Sequence, residues 1–281
     1  MKVHFTKMHG TGNDFIVLDH TKSPFQLSKE AIQSLSHRQL GVGFDQLLVV
    51  EKTALEDVDF KYRIFNQDGG EVEQCGNGAR CFYRFVKDKH LTDKVSIRVE
   101  TKSGVIELTE DHERMIEVNM GEPIFNPKLI PFLSETEKNE YSISIDLPDQ
   151  KETLNMAVLS MGNPHAVITV KDTHKARVET LGPYLESHKL FPKRVNVGFM
   201  EIITSHHIRL RVFERGVGET LACGTGACAA VVSGIKSQSL SSPVKVDMQG
   251  GSLSIDWKGS GHPVMMKGPA VTLYEGDIEI A

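Results

Sequence analysis

An internal repeat constrains the fold of this sequence more than any other feature. The stretch EVEQCGNGAR at residues 71–80 returns as GETLACGTGAC at residues 218–228, so Cys75 and Cys223 stand in the same context. At this shift of 148 residues, further positions are identical: Arg63, Phe65, Gly70, Glu71, Gly76, Gly78 and Ala79 match Arg211, Phe213, Gly218, Glu219, Gly224, Gly226 and Ala227. At a shift of 150 residues, Asn13 falls on Asn163 and Gln46 on Asn196. The chain is therefore predicted to form two similar α+β halves.

Composition limits the classes of partner. A chain of 281 residues is long enough for about two domains with substantial cores. With 40% hydrophobic residues, 25% charged residues and a net charge of −5, it lacks the basic excess that nucleic-acid or membrane surfaces require. Neither a signal peptide nor a long apolar run is evident, and four cysteines are too few for a disulfide scaffold. We expect a cytoplasmic protein that binds a small polar molecule.

Alternating patterns predict a strand-rich chain, whereas helical periodicity is confined to four segments. The predicted strands lie near residues 2–8, 14–19, 46–51, 59–65, 95–100, 104–109, 114–120, 154–160, 165–170, 207–213, 244–248, 253–257 and 271–280. The predicted helices start at Ser28, Gly76, Thr173 and Gly224, so each cysteine motif begins a helix. Three prolines in EPIFNPKLIPF, residues 122–132, mark the best boundary between the halves.

The position of Cys75 and Cys223 before a helix suggests acid–base chemistry. Backbone N–H groups and the helix dipole stabilise a thiolate there, so we expect both pKa values to lie below about 8.5. The glycines let the backbone approach a ligand, and the N–H groups of the turn suit a carboxylate. A thiolate on one face of an α-carbon and a thiol on the other would invert that carbon, which gives the duplication a reason.

Other interpretations of the cysteines are weaker. Most isolated cysteines are small buried hydrophobic residues, and we expect this of Cys81 and Cys228. The C-x5-C and C-x4-C spacings do not match the C-x2-C pairs of zinc sites, so no metal is expected. No nucleotide-binding motif is present either, so we expect no bound nucleotide.

Five longer motifs are spread over almost the whole chain: HGTGNDF at 9–15, FNQDGGEVEQCGNGARC at 65–81, GNPH at 162–165, RVNVGF at 194–199 and FERGVGETLACGTGAC at 213–228. Together they resemble the motifs of the diaminopimelate epimerase family. The resemblance implies an isomerase that interconverts LL- and meso-2,6-diaminopimelate in lysine and cell-wall precursor biosynthesis. It further implies a homodimer that works without pyridoxal phosphate or metal.

The same resemblance implies roles for individual residues. Cys75 and Cys223 would be the catalytic base and acid, and His165 and Glu214 would tune the thiols. The turns that hold the α-carboxylate would be Gly76 with Asn77 and Gly224 with Thr225. The remaining substrate contacts would come from Asn13, Gln46, Asn66, Asn163, Asn196, Glu214 and Arg215. Arg215 suits a distal carboxylate and Glu214 an ammonium group.

The resemblance also implies the architecture. Each half would be a strand-rich, barrel-like sheet around a central helix, with the site in the cleft between the halves. Residues 1–119 with 269–281, where the final strand returns, would form the half that carries Cys75. Residues 120–268 would form the half that carries Cys223.

Two alternative functions stay open at this point. A proline or hydroxyproline racemase of the same fold would use the same cysteines, although such an enzyme has no distal ammonium and carboxylate to bind. A non-catalytic thiol redox or ligand-binding module would use the cysteines to form a regulatory disulfide.

Overall fold

The computed structural model describes residues 2–23, 25–72, 76–102 and 104–279. Cys75, the predicted catalytic residue of the first half, therefore lies outside the described residues. The chain divides into two compact units, the first formed by Met1–Asn119 with Lys267–Ala281 and the second by Met120–Met266. The structure confirms a mixed α+β, strand-rich fold.

The elements follow one another in the same kind of order in both units. The chain runs through β1 (Lys2–Gly10), β2 (Asn13–Asp19), α1 (Lys29–Ser36), β3 (Gln46–Glu51), β4 (Phe60–Asn66), β5 (Glu71–Val72), α2 (Gly76–Asp88), β6 (Ser96–Thr101), β7 (Gly104–Glu110) and β8 (Ile116–Asn119). It continues through β9 (Tyr141–Asp146), β10 (Lys151–Ser160), β11 (Pro164–Thr169), α3 (Val178–Glu186), β12 (Asn196–Thr204), β13 (His207–Glu214), β14 (Gly218–Thr220), α4 (Gly224–Lys236), β15 (Val244–Met248), β16 (Gly251–Trp257), β17 (Val264–Gly268) and β18 (Val271–Glu279).

The sheet of the first unit curves around α2. Its strand order is β18-β1-β2-β3-β4-β6-β7-β8, in which β2–β3 and β4–β6 are parallel. Helix α2 contacts β18, β1, β2 and β3 near one end of this order and β7 and β8 at the other. The last strand of the chain pairs antiparallel with the first and so belongs to this sheet.

Helix α2 lies at the centre of this sheet, with even its polar side chains Asn77, Arg80 and Arg84 buried. Every residue from Gly76 to Val86 is buried. Phe82 packs edge-on against Tyr62 of β4, with 5.1 Å between the ring centroids. On another side of the sheet, Ile32 and Leu35 of α1 belong to a separate hydrophobic cluster with residues of β1, β2 and β3. The sheet is thus covered by both helices of the unit.

The second unit has the same plan. Its strand order is β9-β10-β11-β12-β13-β15-β16, in which β11–β12 and β13–β15 are parallel. Helix α4 contacts β10, β11, β12, β13 and β16, and most of its residues are buried. Helix α3 packs on β12 and β13, with Leu181 and Leu185 in one cluster with Val197 and Phe199. Each unit therefore places the helix that follows its cysteine at the centre.

The repeat extends to strand register. The parallel pair β2–β3 aligns Phe15 with Gln46, and β11–β12 aligns His165 with Asn196, the same register at a shift of 150 residues. Side chains that are equivalent by this register lie on corresponding faces, each within its own sheet, because strand residues alternate between faces.

One ion pair is also repeated, immediately before each central helix. Arg63 donates two hydrogen bonds to Glu71 at 2.9 and 3.0 Å, and Arg211 donates two to Glu219 at 2.6 and 2.8 Å. Each pair joins a long strand to the short strand that leads to the cysteine motif. The bidentate geometry holds that short strand in one orientation.

Predicted and observed elements differ in ways that have physical causes. Helices α1, α2 and α4 confirm the prediction, but α3 begins at Val178 rather than at Thr173, because Thr173 N and Oγ1 donate to Glu201 at 2.9 and 2.8 Å in the preceding turn. Strands β5, β9, β12, β14 and β17 were not predicted. In β12 the residues from Asn196 to Met200 are all buried, so no alternation marks the strand.

Gly182 of α3 permits a close contact between this helix and β13 in the second unit. A Cβ atom at this position would lie 2.4 Å from Cγ and 2.5 Å from Cδ2 of Phe213 in β13. These atoms belong to the inner part of the ring, which cannot move aside without moving β13. The helix can approach the strand only because residue 182 has no side chain.

We predict that Gly182→Ala destabilises the protein. Alanine normally favours a helix over glycine by about 0.5–1 kcal/mol, but the overpacking here should lower the free energy of unfolding by about 1–3 kcal/mol. Urea denaturation measures the change. Thr180→Ala on the exposed side of α3 is the control and should change it by less than about 0.5 kcal/mol. A Gly182→Ala protein that is more stable than wild type would contradict this account.

Candidate active site

Cys223 lies at the start of α4, where the chain turns from extended backbone into helix. It is the N-cap residue, with φ −130° and ψ 110°, and Ala227 N donates to its carbonyl oxygen at 2.9 Å. A Cβ at position 226 would lie only 3.3 Å from Cys223 Sγ, so Gly226 leaves room for the sulfur beside the helix. The glycine of the motif thereby lets the thiol lie against the first turn, as the sequence predicts.

A carboxylate lies next to this thiol. Cys223 Sγ donates to Glu214 Oε2 at 3.2 Å and lies 3.6 Å from Thr225 Oγ1. The other carboxylate oxygen of Glu214 accepts a hydrogen bond from Thr220 Oγ1 at 2.6 Å. The end of β13, β14 and the start of α4 thus bring together Glu214, Thr220, Cys223 and Thr225.

The environment of Cys223 favours the protonated thiol. The residue is only 4% exposed, and burial raises its pKa well above the ordinary value. The negative charge of Glu214 raises this pKa further, whereas hydrogen bonds from Thr225 and from the Gly226 backbone oppose the rise without cancelling it. The prediction of a lowered pKa is therefore wrong for Cys223, because desolvation and a neighbouring carboxylate outweigh the helix N-terminus.

A second group of predicted residues is connected through β11 and β12. His165 Nε2 is 2.9 Å from Asn163 Oδ1, and His165 is aligned with Asn196 on the neighbouring strand. Asn196 Nδ2 donates to the Pro164 carbonyl at 3.0 Å, and its Oδ1 accepts from Arg215 N at 3.0 Å. The second unit therefore places all of its predicted site residues around the ends of β11, β12 and β13 and the start of α4.

His165 is a neutral imidazole in this environment. It is only 1% exposed, and burial, together with the positive charge of Arg215, lowers its pKa to about 3. The ring is therefore uncharged at neutral pH, and only one of its nitrogens carries a proton. A neutral ring that lies beside Asn163 fixes that side chain without adding charge.

In the first unit, Gly76 and Asn77 begin α2, as predicted, and both are buried. The guanidinium of Arg80, itself fully buried, donates to Asn77 Oδ1 at 2.9 Å, to Thr11 Oγ1 at 3.3 Å and to the Gly76 carbonyl at 3.4 Å. These bonds join the first turn of the helix to the loop between β1 and β2. Cys75 directly precedes Gly76 in the sequence, so this first helical turn follows the predicted catalytic residue of the first half.

Three predicted amide side chains of the first unit lie at adjoining strand ends. Gln46 and Asn66 are aligned on β3 and β4, and Gln46 Nε2 donates to Asn66 Oδ1 at 2.9 Å. Asn13 begins β2 and donates from Nδ2 to Asp45 Oδ2 at 2.9 Å. Asp45 and Thr220 were missed by sequence analysis, because neither belongs to a repeated identity. Their only sequence signal is that each lies within three residues of a predicted site residue.

The described part of the chain contains neither a cluster of metal-ligating side chains nor a membrane-spanning helix. Within it, no three His, Cys, Asp or Glu side chains meet in a way that would hold a metal ion. In the same residues, no helix is long and apolar enough to span a membrane.

Comparisons with solved structures show which class of protein shares this fold. The structure superimposes on a hydroxyproline epimerase from Agrobacterium vitis with a TM-score of 0.71 at 11% identity, covering 99% of this chain and 92% of the other. It superimposes on a phenazine biosynthesis protein from Bacillus anthracis with a TM-score of 0.70 at 19% identity, covering 100% of both chains. The fold is therefore one that epimerases and related proteins share.

Sequence comparison gives the family. The profile of the family described as diaminopimelate epimerase matches residues 5–126 and 157–273. Proteins named diaminopimelate epimerase from Pseudomonas paraeruginosa and Nitrosospira multiformis are 54% and 55% identical, over 100% of this chain and 100% and 99% of theirs. The chain belongs to the diaminopimelate epimerase family and is an isomerase.

We predict that His165 makes the stability of the protein depend on pH. Because its pKa is lowered to about 3 from 6.5, the unfolded chain binds a proton between these values that the folded protein does not. The contribution of His165 to the free energy of unfolding is fully present above pH 6.5. It decreases as the pH falls from 6.5 to about 3, by up to about 1.4 kcal/mol per pH unit. Urea unfolding at a series of pH values should show a shallower decline for His165→Gln. Equal slopes for both proteins would contradict this.

We predict that Glu214→Gln makes Cys223 more reactive. Replacing the carboxylate by an amide of the same shape removes the charge that raises the thiol pKa, so more thiolate is present at a given pH. Alkylation of Cys223 by iodoacetamide, followed by peptide mass spectrometry, should be faster and should begin at lower pH. Glu179→Gln, at an exposed position of α3, serves as the control. An unchanged pH profile would show that Glu214 does not influence the thiol.

Proposed function

We propose that the protein interconverts LL- and meso-2,6-diaminopimelate with Cys75 and Cys223 as base and acid. The single observation that carries this proposal is the Cys223 thiol at the N-terminus of α4, 3.2 Å from the Glu214 carboxylate. Family membership supplies the substrate, because the relatives at 54% and 55% identity carry that name. In the reaction one sulfur takes the α-proton and the other delivers a proton to the opposite face of the carbon.

The two helix starts are suited to hold the substrate α-carboxylate. Gly76 and Asn77 begin α2, and Gly224 and Thr225 begin α4, so each pair offers backbone N–H groups that the helix itself does not use. Negative charge grows on the carboxylate as the α-proton leaves, and these groups stabilise it. We propose this role for both turns.

An electrostatic difference between the units supports distinct resting states for the two thiols. Glu214 keeps Cys223 protonated, which suits the acid. At the shift of 148 residues, Glu214 corresponds to Asn66 in the first unit, where a neutral amide stands in place of the carboxylate. We propose that Cys75 rests as the thiolate base and Cys223 as the thiol acid for one direction of the reaction, with the roles exchanged for the other.

The remaining predicted residues are proposed to recognise the rest of the diamino dicarboxylate. Arg215 is exposed just after β13, where its backbone N–H donates to Asn196 and its Nη1 donates to the Lys193 carbonyl at 3.2 Å. The other N–H groups of the guanidinium suit a distal carboxylate. Amide side chains supply neutral donors and acceptors: Asn13, Gln46, Asn66, Asn163 and Asn196. Glu214 is engaged by Cys223 and Thr220, which favours its role on the thiol over a role on an ammonium group. His165 is proposed to hold Asn163, since a neutral ring adds no charge.

Other expectations from the sequence belong to the same proposal. We propose a cytoplasmic homodimer that serves lysine and cell-wall precursor biosynthesis and needs no cofactor or metal. We also propose that the unit carrying Cys75 and the unit carrying Cys223 arose by duplication, since their registers and their Arg–Glu pairs coincide.

We predict that each catalytic cysteine is required for inversion. Reduced wild-type enzyme in heavy water should incorporate deuterium at the α-carbon of diaminopimelate, whereas Cys75→Ser and Cys223→Ala should each lower the inversion rate by about a thousandfold or more. Mass spectrometry of the recovered substrate and chiral chromatography measure the two quantities. Cys228→Ala, a buried cysteine five residues along α4 from Cys223, is the matched control and should stay active.

Two other results would refute this function. Turnover of proline or hydroxyproline without turnover of diaminopimelate would assign a racemase of the same fold. No exchange with any of these substrates in the fully reduced protein would instead favour a thiol-based binding or redox module.

A further inference from the structure

Four charged side chains form a network behind the predicted substrate contacts of the first unit. Lys7 of β1 donates to Asp14 Oδ2 at 2.5 Å and also to the Gly43 carbonyl. Arg38 donates to both Asp14 oxygens at 3.0 and 2.9 Å and to Asp45 Oδ1 at 2.7 Å. The two positive and two negative charges balance, and we call this set of four residues the Asp14–Asp45 network.

The network also holds the backbone next to the predicted site. Asp14 N donates to Asp45 Oδ2 at 3.1 Å, and Asp45 N donates to Asp14 Oδ1 at 2.9 Å. These reciprocal bonds join the residue after Asn13 to the residue before Gln46. The same carboxylate oxygen of Asp45 accepts from Asn13 Nδ2 at 2.9 Å. The network therefore fixes the position of both predicted contact residues.

Strand pairing alone does not need these charges. The Lys7 and Asp14 side chains are only 7% and 17% exposed, and taking such charges out of water is costly. In the second unit, the positions in register with Lys7, Asp14 and Asp45 are Val158, Pro164 and Val195, all buried. The second unit builds the same parallel pair from uncharged residues. The charges in the first unit must then be retained for what they hold in place.

The charges of the network set the orientation of the Asn13 side-chain amide. An ionised carboxylate has no hydrogen to give, so the group of Asn13 that faces Asp45 must be its NH2. Burial raises the pKa of Asp14, but hydrogen bonds from Arg38 and Lys7 and the Lys7 charge lower it well below its ordinary value, so Asp14 is ionised at neutral pH. Asp45 accepts from Arg38 with Oδ1 and from Asp14 N with Oδ2, the oxygen that also faces Asn13. With NH2 committed to Asp45, Oδ1 is the atom with which Asn13 can accept a hydrogen bond from an ammonium group.

We infer that Asp45 is a positioning residue that orients the Asn13 amide so that its oxygen accepts a hydrogen bond from a substrate ammonium group; this inference rests on the proposed function. Asp45 itself does not touch substrate in this scheme. Its effect on the reaction passes mainly through Asn13, the predicted contact whose side chain it binds directly. Diaminopimelate carries two ammonium groups, and an acceptor held in advance binds one of them without losing rotational freedom on binding.

The inference is tested by a double-mutant cycle with Asn13→Ala, Asp45→Ala and the double variant, using steady-state epimerisation of diaminopimelate. Asp45→Ala should raise KM about tenfold and change kcat by less than about threefold, because the Asn13 oxygen is no longer held in place to accept from the ammonium group of the bound substrate. In the Asn13→Ala background, Asp45→Ala should have almost no further effect on KM. Asp45→Asn, which keeps an acceptor for the Asn13 NH2 group, should restore most of the lost affinity.

A matched control is available on the same sheet. Asp59 accepts from Lys94 Nζ at 2.6 Å and from Arg98 N at 2.8 Å, so it resembles Asp45 in its bonds. Asp59→Ala should leave KM unchanged even if it lowers stability, and urea denaturation of every variant separates the two effects. If Asp45→Ala does not fold, Asp45→Asn in the wild-type and Asn13→Ala backgrounds provides the same cycle, with a smaller rise in KM expected only when Asn13 is present.

Two outcomes would overturn the role of Asp45. One is an unchanged KM in a folded Asp45→Ala enzyme, and the other is an equal rise in KM with and without Asn13, for Asp45→Ala or for Asp45→Asn, as a merely structural role would give. A wild-type enzyme that does not turn over diaminopimelate would instead refute the proposed function, and that result is known before any variant is measured.

Discussion

Burial of one glycine-led helix inside each curved sheet is the constraint on which the rest of this structure depends. Such a helix can enter only if its residues are apolar or small, as most are in α4, or if its polar side chains find partners inside the unit, as Arg80 does in α2. Its first turn then meets the ends of the surrounding strands, where the polar side chains lie. Gly226 shows why glycine is needed, since a side chain there would press on the Cys223 sulfur. The architecture that forms the core therefore also presents a thiol and free backbone N–H groups at one end of the unit.

The surroundings of the two central helices are alike in their strand pairing, but they differ in charge. Strand registers and the Arg–Glu pairs before the cysteine motifs are the same in both units. Glu214, in contrast, corresponds to Asn66, and the charges of Lys7 and Asp45 correspond to Val158 and Val195. In the proposed reaction one thiol must be deprotonated while the other is protonated, and a carboxylate beside Cys223 favours the protonated form of that thiol.

The surroundings of Cys223 illustrate how burial can reverse an expectation based on local structure. A helix N-terminus stabilises a thiolate by a modest amount, of about 1 kcal/mol. At 4% exposure, with a carboxylate 3.2 Å away, the loss of solvent and the like charge are larger effects. The protonated thiol that results is a competent proton donor. His165, whose pKa is lowered by the same burial, cannot serve as a charged partner.

The sequence by itself determined the internal repeat, three of the four helices and the family, and it named Glu214 and Thr225 but not Thr220 among the residues around Cys223. It could do so because repeated identities and buried glycine-led helices leave a pattern that local sequence records. Only the tertiary structure decided that Cys223 is protonated and that Asp45 holds Asn13, since both depend on burial and on residues distant in the chain. Strand β12 was not predicted, because it is buried on both faces and its sequence therefore shows no alternation of apolar and polar residues. Local pattern specifies which elements form, whereas charge and solvent exposure are set by what packs around them.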